Sequence, residues 1–193
     1  MVYDGIVIGL LVGFIRAGWR SGLAALSQIR IRGGIVFPIL LAIQLIVVLL
    51  ENRIPFLATS SGYMFMVVYA AGLCVLWLNR NEKGFWWIFA GVALNFLVML
   101  VNGGQMPVSI DAASVLDHKY VEMLQSGTAD AKHVAMTDST RLPFLGDIIP
   151  LTPPYPRQQV ISVGDVIMNF GIFIFLQKVM MVYKTSTSFV KTK

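Results

Sequence analysis

Residues 160–182 read VISVGDVIMNFGIFIFLQKVMMV, an apolar run in which Asp165 and Lys178 carry the charges. A hydrocarbon layer about 30 Å thick requires about 20 consecutive apolar residues in a helix. Three further runs approach this length, at 35–50, 63–78 and 85–101. The chain is 56% hydrophobic and 13% charged, whereas soluble domains carry about 25% charged residues. These features predict an all-α integral membrane protein forming a single membrane domain over 1–193.

A fifth apolar run, at 2–15, is short and contains Asp4. Its length alone also allows a signal-peptide core or a re-entrant segment. A signal peptide has a basic start and a small-residue cleavage site after its apolar core. Here the basic residues Arg16 and Arg20 follow the run instead. We therefore expect a first membrane span, and a bundle of five spans in total.

The charges between the runs indicate an orientation. Basic residues dominate 16–32, 80–83 and the tail 184–193, which a five-span bundle places on one side. Acidic residues concentrate in the segment 103–159, on the other side. The positive-inside rule predicts a plasma-membrane protein with its N-terminus outside, a partly helical extracytoplasmic cap at 103–159 and a cytoplasmic tail. The net charge of +5 is explained by basic cytoplasmic loops, which lie close to anionic lipid headgroups. We therefore expect no nucleic-acid partner.

Two local features of the sequence, the segment 18–31 and Cys74, say little about function. The segment 18–31, GWRSGLAALSQIRI, is compatible with an amphipathic helix on the inner membrane surface and equally with an ordinary loop. The single cysteine, Cys74, lies inside the third apolar run. One cysteine forms neither an internal disulfide nor a zinc site, so we expect Cys74 to pack as a small hydrophobic residue.

Polar residues within or at the ends of the apolar runs need partners, because an unsatisfied polar group is costly in lipid. They are Asp4, Gln44, Asn95, Asn102, Asp165, Asn169 and Gln177. One interpretation is hydrogen bonding between helices, with Gly91, Gly164 and Gly171 allowing close approach. The other is a polar pocket open to the outer leaflet. We favour the first for Gln44 and Gln177 and leave both open for Asn102 and Asp165.

The predicted cap begins with NGGQMPVS at 102–109, where two glycines permit a sharp turn. The residues 110–125 predict a helix capped by Ser109 or Asp111. The segment 140–151, TRLPFLGDIIPL, is too apolar for a solvated loop and too broken by proline and glycine for a span. We expect this segment to pack onto the outer membrane face and to cover the pocket.

Four segments together resemble a family of uncharacterised small bacterial multi-pass membrane proteins. They are GLLVGFIRAG at 9–18 with LAALSQIRIRG at 23–33, NGGQMPVS at 102–109, KHVAMTDSTRLPFLGDIIP at 132–150 and VISVGDVIM at 160–168. The resemblance spans nearly the whole chain. It implies a set of matching positions but no activity. The matching residues are Asn102, Gly103, Gly104, Met106, Pro107, Lys132, His133, Arg141, Pro143, Gly146, Asp147, Pro150, Ser162, Gly164 and Asp165.

Two classes of function remain open. The first is binding of an amphipathic ligand (a lipid, isoprenoid or quinone-like molecule) or of a membrane-protein partner in an outward-facing polar cavity, as in a transport or assembly accessory subunit or a homo-oligomer. Arg141 is the expected anion contact in that cavity, because its planar guanidinium matches a phosphate or carboxylate. The expected ligand-binding residues are Asp4, Asn102, Gln105, Arg141, Asp147 and Asp165.

The alternative is a membrane enzyme that acts on a lipid-like substrate at the outer leaflet. Its candidate catalytic residues are His133, Asp147 and Asp165, which could exchange protons with a substrate. The sequence lacks the spacing motifs of zinc hydrolases and of serine hydrolases. We therefore expect neither a metal site nor a cofactor.

Overall fold

A computed structural model describes residues 2–50, 53–128 and 132–191. Within these ranges the helices are α1 (Val2–Ala17), α2 (Trp19–Ser27), α3 (Val36–Leu50), α4 (Pro55–Leu78), α5 (Phe85–Val101), α6 (Ile110–Ala113), α7 (His118–Gln125) and α8 (Val163–Lys191). The strands are β1 (Met106–Val108), β2 (His133–Ala135), β3 (Asp147–Leu151) and β4 (Gln159–Ser162), with a 3-10 helix at Pro143–Leu145. The five long helices form a bundle, and the chain between α5 and α8 forms a cap on one end of it.

Helix α8 is the centre of the bundle. It packs along α1 and along α5, while α4 lies between α5 and α3. Asn102, which ends α5, is hydrogen-bonded to the cap, and α8 begins directly after β4. Helices α5 and α8 are therefore antiparallel, with Gly91 next to Gly164 and Gly84 next to Gly171.

Apolar side chains cover the outside of the bundle. Helix α3 has one side chain classed as buried, Val47, and exposes Ile39, Leu45 and Leu49 among others. The stretches Ser60–Leu78 and Val163–Val182 are long and apolar enough to cross a membrane. In the most apolar part of each stretch, the buried share is 28% for Ser60–Leu78 and 33% for Val163–Val182. A core helix of a soluble protein is mostly buried.

Five full-length spans are not supported, because α1, α3 and α5 have 16, 15 and 17 residues. Charged residues lie at both ends of α1, and the turn at Asn102 ends α5. The fifth predicted span also begins later than expected. Residues 160–162 belong to β4, and α8 starts at Val163.

The cap contains a mixed four-stranded sheet in the order β2-β1-β3-β4, so the all-α prediction is wrong for this part of the chain. Strand β1 runs parallel to β2 and β3, and β3 pairs antiparallel with β4. Each strand has only three to five residues, and Pro107 and Pro150 lie within them. Such short segments show no clear alternation of apolar and polar residues, and proline is depleted in strands.

The helix predicted over 110–125 is divided into α6 and α7. Ser109 caps α6 by accepting a hydrogen bond from the Ala112 backbone N–H at 3.3 Å. Asp117 caps α7 by accepting one from the Lys119 N–H at 2.9 Å. A side-chain cap at Asp117 starts a new helix, which is why the first does not continue through it.

The structure also bears on the segment 18–31 and on Cys74. The segment 18–31 is helical over Trp19–Ser27, with Gly22 and Ala25 buried and Trp19 exposed. Cys74 does not pack in the interior as expected but lies on the exposed surface of α4.

Candidate functional site

Asp165 closes the first turn of α8 with Ser162. The Ser162 hydroxyl accepts a hydrogen bond from the Asp165 N–H at 3.0 Å. In return the Asp165 carboxylate accepts one from the Ser162 N–H at 3.1 Å. This reciprocal pair is a capping box, which satisfies two backbone donors that the start of a helix otherwise leaves without partners.

Asn95 connects this capping box to α5. Its amide donates to Asp165 Oδ1 at 3.1 Å, and its carbonyl oxygen accepts from the Ser162 hydroxyl at 2.8 Å. All three residues are buried. The triad of Asn95, Ser162 and Asp165 thus links two helices through mutually satisfied polar groups.

Asn102 holds the cap to the end of α5. Its carboxamide donates to the Arg141 carbonyl at 2.8 Å and accepts from the Arg141 N–H at 2.9 Å. The same amide also donates to the Val98 carbonyl at 2.8 Å. The backbone of Arg141 is therefore fixed, while its side chain remains exposed.

The residues after Arg141 have an unusual backbone. Leu142 has φ +52°, a left-handed conformation that is unfavourable for a branched apolar residue. Its carbonyl accepts a hydrogen bond from the Leu145 N–H at 3.0 Å. The turn leaves the Phe144 side chain 60% exposed, three positions after the exposed Arg141. One turn of the cap therefore carries both an exposed cation and an exposed aromatic side chain, next to the end of α5.

Asp4 joins the start of α1 to the cap. Its carboxylate accepts hydrogen bonds from the Tyr155 hydroxyl and, at 3.4 Å, from the Gln159 amide. The bond to Asp4 raises the pKa of Tyr155 above its ordinary value of 10.0, and burial and the Asp4 charge act in the same direction. Tyr155 therefore keeps its proton and acts as the donor at neutral pH.

His133 and Asp147 face each other within the sheet. His133 Nε2 lies 3.9 Å from Asp147 Oδ2, and the two side chains are 19% and 3% exposed. This distance is too long for a hydrogen bond between the two side chains. Gln105, the remaining predicted site residue, is half-buried directly after Gly104, which packs against Gly62 of α4.

The structure places the six predicted ligand-binding residues in the cap or at adjacent helix ends, but in separate networks. Asp165 binds Ser162, Asn102 binds Arg141, and Asp4 binds Tyr155. Among the described residues, no three His, Cys, Asp or Glu side chains are grouped so that they could hold a metal ion. Of the six predicted ligand-binding residues, Arg141 is the one whose side chain is exposed.

Sequence reasoning did not identify the glycines of α1 that contact α8. The Gly5 N–H donates to Asn169 Oδ1 at 2.8 Å, and the Gln177 amide donates to the Gly9 carbonyl at 2.8 Å. A Cβ atom at Gly13 would lie 2.2 Å from Met180 Sδ. The spacing of these glycines at every fourth residue is a known signal for close helix packing, and it could have revealed this contact.

The comparisons with known proteins identify relatives without assigning an activity. Residues 28–177 match the model described as "Family of unknown function (DUF5317)". An uncharacterized protein of Thermotoga maritima is 39% identical over 103 residues, which cover 53% of this chain and 55% of that protein. No solved structure matches the chain. The family match includes the segments 102–109, 132–150 and 160–168, so the resemblance to an uncharacterised family is confirmed, and the chain belongs to the DUF5317 family of unknown function.

Proposed function

We propose that this chain is a multi-pass membrane protein that binds the anionic headgroup of an amphipathic ligand where the cap meets the outer membrane surface. Arg141 is the anion contact, and Phe144 lies against the apolar part of the ligand. The ligand class is a phosphate-bearing lipid or isoprenoid. The observation that carries this proposal is the exposed Arg141–Phe144 turn, held by Asn102 at the end of α5.

The distribution of polarity supports insertion in a membrane. The outside of the bundle is apolar, while Asn95, Asp165 and Gln177 are buried and hydrogen-bonded between helices. A soluble protein has the opposite arrangement. In lipid, exposed apolar helices need no further cover, and internal hydrogen bonds satisfy the polar groups.

Tryptophan and basic residues support the orientation. Trp19, Trp77, Trp86 and Trp87 are all exposed at the end of the bundle away from the cap. Tryptophan is enriched at both membrane–water interfaces, so it marks a membrane surface, while the basic segments 16–32 and 80–83 at this end match the arginine-rich and lysine-rich loops of the cytoplasmic side. We therefore propose five crossings, with the cap outside and the tryptophan end at the cytoplasmic surface. The three shorter helices cross where the bilayer thins locally around them.

The Arg141–Phe144 turn is suited to a ligand with a charged head and an apolar tail. The left-handed conformation of Leu142 costs about 1–2 kcal/mol relative to an ordinary backbone, and such strain is concentrated at functional sites. Because Asn102 holds the Arg141 backbone on both its N–H and its carbonyl, little backbone ordering is needed on binding. The guanidinium can then contact a phosphate with two parallel hydrogen bonds.

Binding of farnesyl phosphate to the full chain in detergent tests this proposal. Arg141→Gln removes the charge-assisted bonds and should weaken binding by about 10-fold to 100-fold, since each such bond contributes about 1.5–3 kcal/mol. Arg157→Gln is the matched control, because Arg157 is another exposed arginine of the cap. Equal affinities for the wild type and Arg141→Gln would contradict the proposal.

His133 and Asp147 favour a second candidate function, that of a membrane enzyme. The His133 imidazole lies 3.9 Å from the buried Asp147 carboxylate, and a histidine beside a carboxylate is a candidate general base. If this candidate is correct, the chain hydrolyses farnesyl phosphate and His133→Gln abolishes turnover without reducing binding. Absence of turnover by the wild type would contradict this second candidate.

A further inference from the structure

A cavity of about 410 Å³ lies at the end of the bundle opposite the cap. Its walls come from the end of α2, the residues just after it, the turn between α4 and α5, and the C-terminal half of α8. Ligand pockets in proteins measure about 300–1,000 Å³, so this cavity can hold a small headgroup. None of the six predicted ligand-binding residues lines this cavity.

The charges in this cavity leave a surplus cation. Lys178 Nζ lies 3.7 Å from Glu82 Oε2, and both side chains are partly exposed. Arg30 also lines the cavity, and in the described part of the chain it has no hydrogen-bonding or ion-pair partner. Since Glu82 balances Lys178, the three side chains together carry one net positive charge. A monoanion such as a phosphodiester complements this charge.

The depth of the cavity matches the headgroup layer of the proposed membrane. Phe175 lines the cavity and packs edge-to-face on Phe85, with ring centroids 5.1 Å apart. The neighbouring Trp86 packs on Trp77 at 5.6 Å, and both indoles are about half exposed. Exposed tryptophans mark the interface between headgroups and acyl chains. In the proposed membrane, these tryptophans place the cavity at the level of the lipid phosphates.

The uncharged walls of the cavity suit an acyl chain rather than water. Ile29, Phe175, Val179 and Val182 supply apolar surface, and Val182 is 55% exposed. An amphiphile can place its phosphate near Arg30 and continue its chain along α8 into the membrane. A soluble phosphate ester would leave these apolar side chains without a partner.

We propose that this inner cavity is a binding site for an anionic phospholipid, with its phosphodiester bridging Arg30 and Lys178. The inference rests on the membrane insertion described under the proposed function but not on the ligand site at Arg141. Basic pockets between helices on the cytoplasmic side are a recognised means of holding anionic headgroups. The site would fix α2 against α8 on the inner surface.

Native mass spectrometry of the full chain in detergent tests this site. The protein is equilibrated with equal amounts of phosphatidylglycerol and phosphatidylcholine that carry the same acyl chains. The wild type should retain phosphatidylglycerol preferentially. Arg30→Gln and Lys178→Gln should each reduce that retention about 10-fold, because each removes one of two phosphate contacts. Glu82→Gln should instead increase retention, since it removes the negative charge from the cavity.

Arg20→Gln is the matched control, because Arg20 is an exposed arginine of α2 that does not line the cavity. Equal retention by the Arg20→Gln and Arg30→Gln variants would overturn the proposal, as would retention unaffected by Glu82→Gln. Thermal stabilisation by glycerol phosphate equal to that by phosphatidylglycerol would show a site for soluble phosphate esters and also overturn it. Arg141→Gln should leave phosphatidylglycerol retention unchanged. The proposed outer site at Arg141 and this inner site can therefore fail independently.

Discussion

The Asp165 carboxylate is buried but has several favourable partners. It lies in the first turn of α8, where the helix dipole stabilises a negative charge. It also accepts hydrogen bonds from the Ser162 N–H and from the Asn95 amide. These contacts assign Asp165 a role in joining α8 to α5. They provide a direct way to test how much this buried cluster stabilises the protein.

Asp165→Asn should be tolerated much better than Asp165→Leu. Asparagine retains one carbonyl oxygen to accept from Ser162, whereas leucine leaves the buried donors of Ser162 and Asn95 without an acceptor. Each unsatisfied buried donor costs about 1–3 kcal/mol. The measurement is the midpoint of thermal unfolding in detergent for both variants and the wild type. Similar midpoints for the two variants would contradict a stabilising polar cluster.

The contact between Tyr155 and Asp4 should make stability depend on alkaline pH. Because the folded pKa of Tyr155 is raised above 10.0, its contribution is fully present below pH 10 and is lost as the pH rises through the folded value. Tyr155→Phe should therefore be less stable than the wild type by about 1 kcal/mol at neutral pH. The difference should shrink above pH 10, and a constant difference from pH 8 to pH 12 would rule out this origin. Unfolding midpoints across that range provide the measurement.

At the scale of elements, glycines determine how closely α5 approaches α8. A Cβ atom at Gly91 would lie 2.3 Å from the Gly164 carbonyl oxygen, and one at Gly164 would lie 2.1 Å from Asn95 Oδ1. Both contacts are far inside van der Waals distance. The two glycines therefore allow the hydrogen bonds of Asn95 to form, and larger residues there would separate the helices.

Gly91→Ala should destabilise the bundle by about 1–3 kcal/mol, the usual cost of overpacking. Gly72→Ala in α4 is the matched control, because a Cβ atom there would meet its nearest neighbour, Leu40 Cδ1, at 4.0 Å. The control should be as stable as the wild type. Both variants are compared by thermal unfolding in the same detergent. Equal effects of the two substitutions would exclude close packing at Gly91 as the cause.

At the scale of the whole molecule, the proposed topology places the cap and the segment after α2 on opposite sides of the membrane. Ser126 lies at the end of α7 in the cap, Ser27 lies at the end of α2, and both are exposed. Single cysteines at these positions report the side on which each segment lies. Cys74→Ala provides the background, since the native cysteine is itself exposed.

In intact cells, Ser126→Cys should react with a membrane-impermeant maleimide. Ser27→Cys should react only after the membrane is made permeable, because the proposed inner surface faces the cytoplasm. Mass shift of the purified protein measures the labelled fraction. Equal labelling of both cysteines in intact cells would overturn the proposed topology.

The sequence alone was sufficient to predict the apolar helices, because composition and run length are local properties. The run at 85–101 coincides with α5, and the polar residues within the runs were identified as groups that need partners. Their partners were not predictable, since Asn102 binds Arg141 39 positions along the chain and Asn95 binds Asp165 70 positions away. Such contacts depend on how the helices pack and on where the cap folds back.

The tertiary structure also decided the form of the cap. Strands of three residues are stabilised by their neighbours rather than by their own sequence, and the pairing of Met106 with His133 joins distant segments. The tertiary structure likewise separates the predicted ligand-binding residues into different networks and leaves the Arg141 side chain exposed. The inner cavity exists only because α2, α8 and the turn after α4 meet at one place. Local sequence determines helices and their polarity, whereas sites arise from contacts between residues far apart in the chain.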